Sequence, residues 1–429
     1  MAAAPARAGP GTSSPASFLP GPVPDRETWE GWTRWRLARG SFTPAPLVTA
    51  AEHAAMTARQ RRLHDLHRAA THSNLAIQET PMSAWVSKEM RSLVEINALC
   101  EGPDTRPGLM VNGGACQGKT ETTCEALACF EDDWLDAYDQ VPGAVEGTLD
   151  HHVPVVYVRM PVKATPISAC QRILDFYGED YKGMTLGTLT RTVKQAIHDH
   201  GSKALAIDDA TRLKLHREAD QDVLDLIREL MSMPVTLILI GVGIPKSGLL
   251  RDGRRDPVTG EWLIPPVRDR GKSRNDDAPG QTDLRFEMTD LDRFSYGGTA
   301  STGAWIAHLV GLEQQLRLLH ARDGMLSEGG MPEYLFRHTR GTVGILRKFI
   351  QKACRRAIET GEEEITTALL DSLTVTRKDL PGLDPGSGEI PEGIPDDPDT
   401  PAPKKPAKPR KPRNTVFDDH GAPAAGTAG

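Results

Sequence analysis

Four short, almost unbroken apolar runs stand out in the first 240 positions of the chain, at 107–112, 153–160, 203–208 and 235–240. Runs of this length bounded by polar turns predict strands buried on both faces. Between and after them, 119–131, 166–177, 186–200 and 220–233 read as helices. Strands and helices alternating at these lengths predict an α/β fold, a parallel sheet with helices on both faces. Upstream, 49–100 reads mostly helical with a polar interruption near 71–74. Beyond 300 the pattern returns to helix alone, at 303–320, near 332–338, at 343–360 and at 364–373.

The stretches between these patterns suggest the organisation. Residues 1–24 are mostly Ala, Pro, Gly and Ser and predict a disordered tail. Residues 25–100 form an N-terminal helical segment and 101–300 the α/β core. Within the core, 251–283 is a polar insertion rich in Arg, Asp, Gly and Pro. Residues 301–380 form a helical lid, and 381–429 a disordered Pro-rich tail whose basic tract at 403–413 follows an acidic one at 389–399. Trp29, Trp32 and Trp35, three of seven tryptophans, fall on one face of a short helix beside Arg34, Arg36 and Arg39. That helix either packs on the main domain or anchors a partner protein, since clustered Trp and Arg are hot-spot chemistry.

Composition narrows the class. A chain of 429 residues with 25% charged and 38% apolar positions has room for two or three domains and a sizeable core. No apolar run approaches the ~20 residues of a membrane span, and the N-terminus shows no secretory h-region, so the expected compartment is the cytoplasm, with no membrane partner. The net charge of −7 gives no global case for nucleic acid binding, which would have to come from local basic patches. The six cysteines form no C-x-x-C pair and predict no zinc site.

The chemistry is concentrated at Gly113, Gly114, Ala115, Cys116, Gln117, Gly118, Lys119 and Thr120, which match G-x-x-x-x-G-K-[ST] in full. Glycines let the backbone turn tightly and approach an anion. The loop N–H groups and the following helix N-terminus face phosphates. Lys119 reaches the β and γ phosphates, and the Thr120 hydroxyl ligates Mg²⁺. A strand before the loop and a helix after it are the context the motif requires. Cys116 reads as a small filler within the loop, with a redox-sensitive thiol as the other reading. The third apolar run ends in two carboxylates. Asp208 suits support of the metal, and Asp209 suits polarising the attacking water.

With these pieces in place, the chain from about 71 to 373 resembles the TniB-type transposition ATPases, in the AAA+ superfamily alongside TnsC and IstB-like proteins. The resemblance rests on the loop, on Val-Pro-Val-Val-Tyr-Val-Arg-Met-Pro at 153–161, and on Ala-Ile-Asp-Asp at 206–209. It continues through the segments 228–241, 284–287, 312–319 and 339–348. It implies an αβα P-loop core with a small all-helical lid, ATP and Mg²⁺ as cofactors, and ATP-dependent homo-oligomers on duplex DNA. Such an assembly recruits or stimulates a DDE-type transposase. Carried over, Arg285 takes the arginine-finger position and reaches a neighbouring subunit's γ-phosphate; its other reading is a structural salt bridge. Three departures stand out: the second acid is Asp209 rather than Glu, Gly241-Val-Gly at the end of the fourth run lacks a polar sensor, and Gly341-Thr-Val-Gly344 replaces a Gly-x-x-Arg pattern. Arg347 or Lys348 is then the candidate lid sensor, one turn late. The expectation is nucleotide binding with slow hydrolysis. DNA contact would be sequence-tolerant, through 251–274, 403–413, Arg191 and Lys194. Two rivals stay open, a P-loop ATPase switch acting on a protein without DNA, and a small-molecule kinase.

Overall fold

The computed structural model describes residues 18–19, 21–102, 104–140, 151–162, 164–213, 221–244, 254–255, 262–263 and 285–373. The Pro-rich tail 381–429, residues 1–17 and 20 of the N-terminal tail, and nearly all of the insertion 251–283 lie outside them.

Five parallel strands form the sheet: β1 (Gly108–Asn112), β2 (Val155–Arg159), β3 (Ala204–Asp208), β4 (Thr236–Ile240) and β7 (Phe286–Asp290), in the order β2-β3-β4-β1-β7. A two-residue ribbon, β5 (Arg254–Arg255) with β6 (Trp262–Leu263), pairs antiparallel. The first four strands coincide with the four apolar runs, and β1, β3 and β4 are buried along their whole length. β7 was not legible as a strand. Its sequence Phe-Glu-Met-Thr-Asp alternates and buries little beyond Thr289; among the described residues it pairs with β1 alone.

Helices α4 (Pro81–Leu99), α5 (Lys119–Asp139), α6 (Pro166–Tyr177), α7 (Leu186–Asp199) and α8 (Gln221–Met231) cover the sheet. Several start on a reciprocal cap. Thr80 and Thr165 accept from the N–H of Ser83 and Ser168, whose side chains reach back, and proline follows each cap. The same device opens α2 (Ala50–Ala55) at Thr49 with Glu52 and α3 (Ala58–Ser73) at Thr57 with Gln60. Four further helices, α9 (Thr299–Glu313), α10 (Met331–Thr339), α11 (Val343–Thr360) and α12 (Thr367–Asp371), enclose a second apolar cluster. That cluster is built on Trp305, Leu309, Phe336, Leu346 and Ile350, and the Trp305 indole donates to Pro332 O at 2.9 Å. The chain thus has an α/β P-loop core followed by an all-helical region.

The segment upstream of the sheet divides its packing. α1 (Trp29–Ala38) and α4 join the sheet's core, whereas α3 faces the helical region. Arg68, 1% exposed, donates to both Glu363 oxygens at 2.6 and 3.0 Å and to Asp65 at 2.6 Å. The tryptophan helix takes the packing reading. Trp32 is fully buried, and Trp29 and Trp35 lie partly buried against the same cluster. Its face is zipped to α5 by charge: Arg36 pairs with Asp132, and Arg39 with Asp132 and, at 3.1 Å, with Glu125. The Trp32 indole donates to Glu131, which is 3% exposed.

Burial pushes the Glu131 carboxyl from its ordinary 4.5 up to about 7, against the opposing pull of Trp32 and Arg36. The folded chain then holds a proton that the unfolded chain releases between these values, so stability falls as pH rises through that window and stays lower above it. Glu131→Gln keeps an acceptor for the indole. It is expected to raise the melting temperature by about 2–5 °C at pH 8 and to leave it nearly unchanged at pH 4. Equal shifts at both pH values would contradict this origin.

Candidate nucleotide site

The loop 113–118 leaves the carboxyl end of β1, between β4 and β7 in the sheet, and enters α5. Gly118 caps α5 at φ 89°, a left-handed conformation that glycine adopts without cost. Gly113 is constrained by space: a Cβ there would lie 2.6 Å from Leu291 O. Gly114 donates its N–H to the Gln117 side chain. The Lys119 ammonium folds back over the loop, donating to Gly113 O at 3.1 Å and Gly114 O at 2.6 Å. Burial lowers its pKa, with Asp208, Cys116 and Asp209 pulling the other way.

Asp208 ends β3 beside the first turn of α5 and is 5% exposed. Its Oδ2 accepts from Thr120 Oγ1 at 2.7 Å and from Tyr157 Oη at 2.8 Å, and its Oδ1 from Asp209 N at 2.8 Å. The hydroxyl and carboxylate that the motif assigns to a metal are therefore in direct contact, with the buried Lys119 ammonium close by. An oxygen pair of this kind suits Mg²⁺, which takes few protein ligands and keeps waters and phosphates for the rest. Asp209 sits at φ 55° and pairs with Arg212 at 3.0 Å. Arg212 is itself tied to Met160 O at 2.7 Å.

A polar residue that the sequence reading passed over lies at the end of β1. The Asn112 amide donates to Asp290 at 2.6 Å and accepts from Ile244 N at 3.0 Å, joining the carboxyl ends of β1 and β7 to the turn after β4. Where the fourth strand ends in Gly241, the polar side chain comes from β1 instead. Tyr157 was also missed. Both residues sit at strand positions that a hydropathy pattern treats as filler, and only their place at the carboxyl end of the sheet or beside Asp208 marks them.

The helical region reaches the loop through its backbone. Gly344 N, in the first turn of α11, donates to Cys116 O at 2.9 Å. Gly344 thus occupies the lid position where an arginine was expected. Arg347, one turn later, donates to Leu75 O at 2.6 Å, in the connection between α3 and α4, and Lys348 is exposed. Cys116 at φ 60° is exposed and fills no interior gap, so the filler reading does not hold. Arg285 lies one residue before β7, where its carbonyl accepts from Gly108 N at 2.9 Å. It is exposed at the amino end of the strands, opposite the loop, and does not meet its own subunit's phosphate loop. The structure brings the loop, Thr120, Asp208 and the start of α11 together, and leaves Arg285 and Arg347 apart from them.

A Cβ on Gly344 would lie 2.6 Å from Cys116 O, a backbone atom that cannot swing aside. Gly344→Ala is expected to destabilise the chain by about 1–3 kcal/mol in chemical denaturation. Gly303→Ala in α9, where nothing lies within 4 Å of the new methyl, serves as a control with no loss.

Residues 104–244 match the family described as AAA domain. A search of curated proteins finds no match. Among solved structures, the chain is similar to the Aeropyrum pernix ORC1 protein in complex with DNA, with 12% identity and a TM-score of 0.46 over 69% of this chain and 65% of that one. It is similar to Drosophila ORC bound to DNA, with 15% identity and a TM-score of 0.36 over 66% and 62%. It is also similar to a replication initiator DnaA bound to AMPPCP and single-stranded DNA, with 13% identity and a TM-score of 0.35 over 68% and 66%. The chain spans a little under two thirds of the two ORC structures. No helix among the described residues is long and apolar enough to cross a membrane. The stretch that is similar to the AAA domain family, residues 104–244, thus runs from just before β1 to the turn after β4 and takes in the phosphate loop, Thr120 and Asp208.

Proposed function

We propose that the protein is an ATP-dependent regulator of DNA transposition. In this reading it oligomerises on duplex DNA, recruits or activates a DDE-type transposase, and hydrolyses ATP slowly. The observation that carries the nucleotide part is the contact between Thr120 Oγ1 and Asp208 Oδ2 at 2.7 Å, beside Lys119 and beneath the first turn of α11. The transposition part rests on the ordered sequence resemblance to TniB-type ATPases from 71 to 373, and with it come the core-and-lid division at 101–300 and 301–380, the DNA and the partner transposase.

In this reading Gly113–Thr120 wrap the phosphates and Lys119 exchanges the Gly113 and Gly114 carbonyls for phosphate oxygens. Thr120 and Asp208 hold Mg²⁺, which supplies charge neutralisation on the phosphates. Asp209 positions water. Its engagement with Arg212 supports slow turnover, because a carboxylate already paired is less free to turn to a water. Arg285 serves only in trans, in keeping with its place at the far end of β7. Arg347 acts on nucleotide only after releasing Leu75 O. For DNA, Arg191 is exposed, but Lys194 is paired with Glu229 and offers less than its sequence position suggests. The basic stretches at 251–274 and 403–413 lie outside the described residues, apart from 254–255 and 262–263.

Light scattering with ATP or a slowly hydrolysed analogue, with and without duplex DNA, tests the proposal. Large assemblies on DNA that need nucleotide and vanish in Lys119→Ala are the expected result. A monomer indifferent to DNA moves the function to a protein-directed switch. Turnover is expected to rise on adding DNA or partner, and the DNA affinity to fall by about tenfold or more between 50 and 200 mM salt. Rapid turnover of the protein alone would refute slow hydrolysis.

A further inference from the structure

We infer that Tyr157 is a positioning residue for Asp208, and that Arg26, in the segment leading into α1, and Trp32, on α1 itself, hold Tyr157 in that role. The inference rests on the nucleotide reading of the site and extends it to residues on two elements outside the loop.

Tyr157 lies in the middle of β2, is fully buried, and points its phenol at Asp208 Oδ2 at 2.8 Å. The same oxygen takes the Thr120 proton, and the other oxygen takes Asp209 N. A carboxylate turns about a broad terminal torsion, so three donors on two oxygens fix a plane that Asp208 would not keep by itself. Thr120 has a single hydroxyl proton and spends it on Asp208, which leaves its lone pairs for a cation. Burial raises the phenol's pKa, with Cys124 and Asp208 adding to it, so the group stays a neutral donor.

The N-terminal segment backs this arrangement from behind. The Arg26 guanidinium lies 5.7 Å from the centre of the Tyr157 ring and 5.0 Å from that of Trp35. It is anchored on both oxygens of Glu121, the residue after Thr120, at 2.9 and 3.1 Å. Trp32 also stacks near the phenol, its ring centre 6.1 Å from that of Tyr157. Arg159, at the end of β2, donates to the Tyr157 oxygen at 3.4 Å and reaches Glu27 at 4.0 Å. A short helix serving only to cover α5 would need none of these contacts around one phenol. Together they make 26–35 the rear wall of the metal site.

The test measures affinity for a fluorescent, slowly hydrolysed ATP analogue in the full chain, in Mg²⁺ and in EDTA, for wild type, Tyr157→Phe and Arg26→Ala. In EDTA the three are expected to agree within about twofold. The gain in affinity on adding Mg²⁺ is expected to fall roughly fivefold in Y157F, as for the net loss of one hydrogen bond of ordinary strength, with more Mg²⁺ needed for half-saturation. R26A should shift in the same direction by less. A Mg²⁺ gain in Y157F equal to wild type overturns the inference. So does an equal loss in Mg²⁺ and in EDTA, which would mark a general packing defect. Should Y157F not fold, R26A leaves phenol and carboxylate intact and decides by the same comparison. Wild type that binds no analogue in either condition defeats the nucleotide reading itself, a different result from wild type showing the gain and Y157F matching it.

Discussion

Parallel pairing of β1 between β4 and β7 places every polar group of the site. Registering Val111 with Ile240 and Asn112 with Asp290, and on the other side Arg159 with Asp208, brings the carboxyl ends of the strands level. The loop, the metal-type carboxylate and the Asn112 bridge all leave the sheet at that edge. A parallel ladder buried on both faces tolerates little slippage, since a shift of one residue would turn each side chain to the opposite face. The positions of Thr120 and Asp208 are therefore set by strand register before any side chain of the site makes a bond.

Much of this was readable from residue order alone, for a physical reason. Strands covered on both faces must be apolar throughout, so β1 to β4 announce themselves as runs, and the glycines and lysine of the loop have few other uses at that spacing. What escaped reading lacked such a constraint. β7 alternates because most of its side chains stay partly exposed. Tyr157 looks like a bulky apolar residue until Asp208 is seen across from it. Gly344 reads as the loss of an arginine, whereas in the fold its N–H and missing Cβ let α11 rest on Cys116 O. Arg347 was chosen by its chemistry one turn away, and the helix directs it to Leu75 O.

Charge ties the upstream helices to both halves of the molecule. Arg68 is buried with Glu363 and Asp65, so its desolvation is matched by two carboxylates. Burying such a group adds little net stability even when paired, but breaking the pair is costly. Its effect is to dictate which surface α3 meets. His72 in the same helix accepts from Arg317 N at 2.9 Å, and burial together with Arg68 and Arg317 brings its pKa down to about 4, so it stays neutral there. α1 does the corresponding job on the sheet side through Arg36 and Arg39. The sequence from 25 to 100 is thus a clasp with one arm on each apolar cluster.

Lys119 in this state is held by two neutral carbonyls of its own loop. Carbonyl dipoles solvate an ammonium without cancelling its charge, so Lys119 brings a full positive charge to the carboxyl edge of the sheet. A ligand has to outbid those carbonyls, and only one bearing concentrated negative charge gains enough to do so. Discrimination in favour of polyanions is in that way written into one lysine and the two carbonyls beside it.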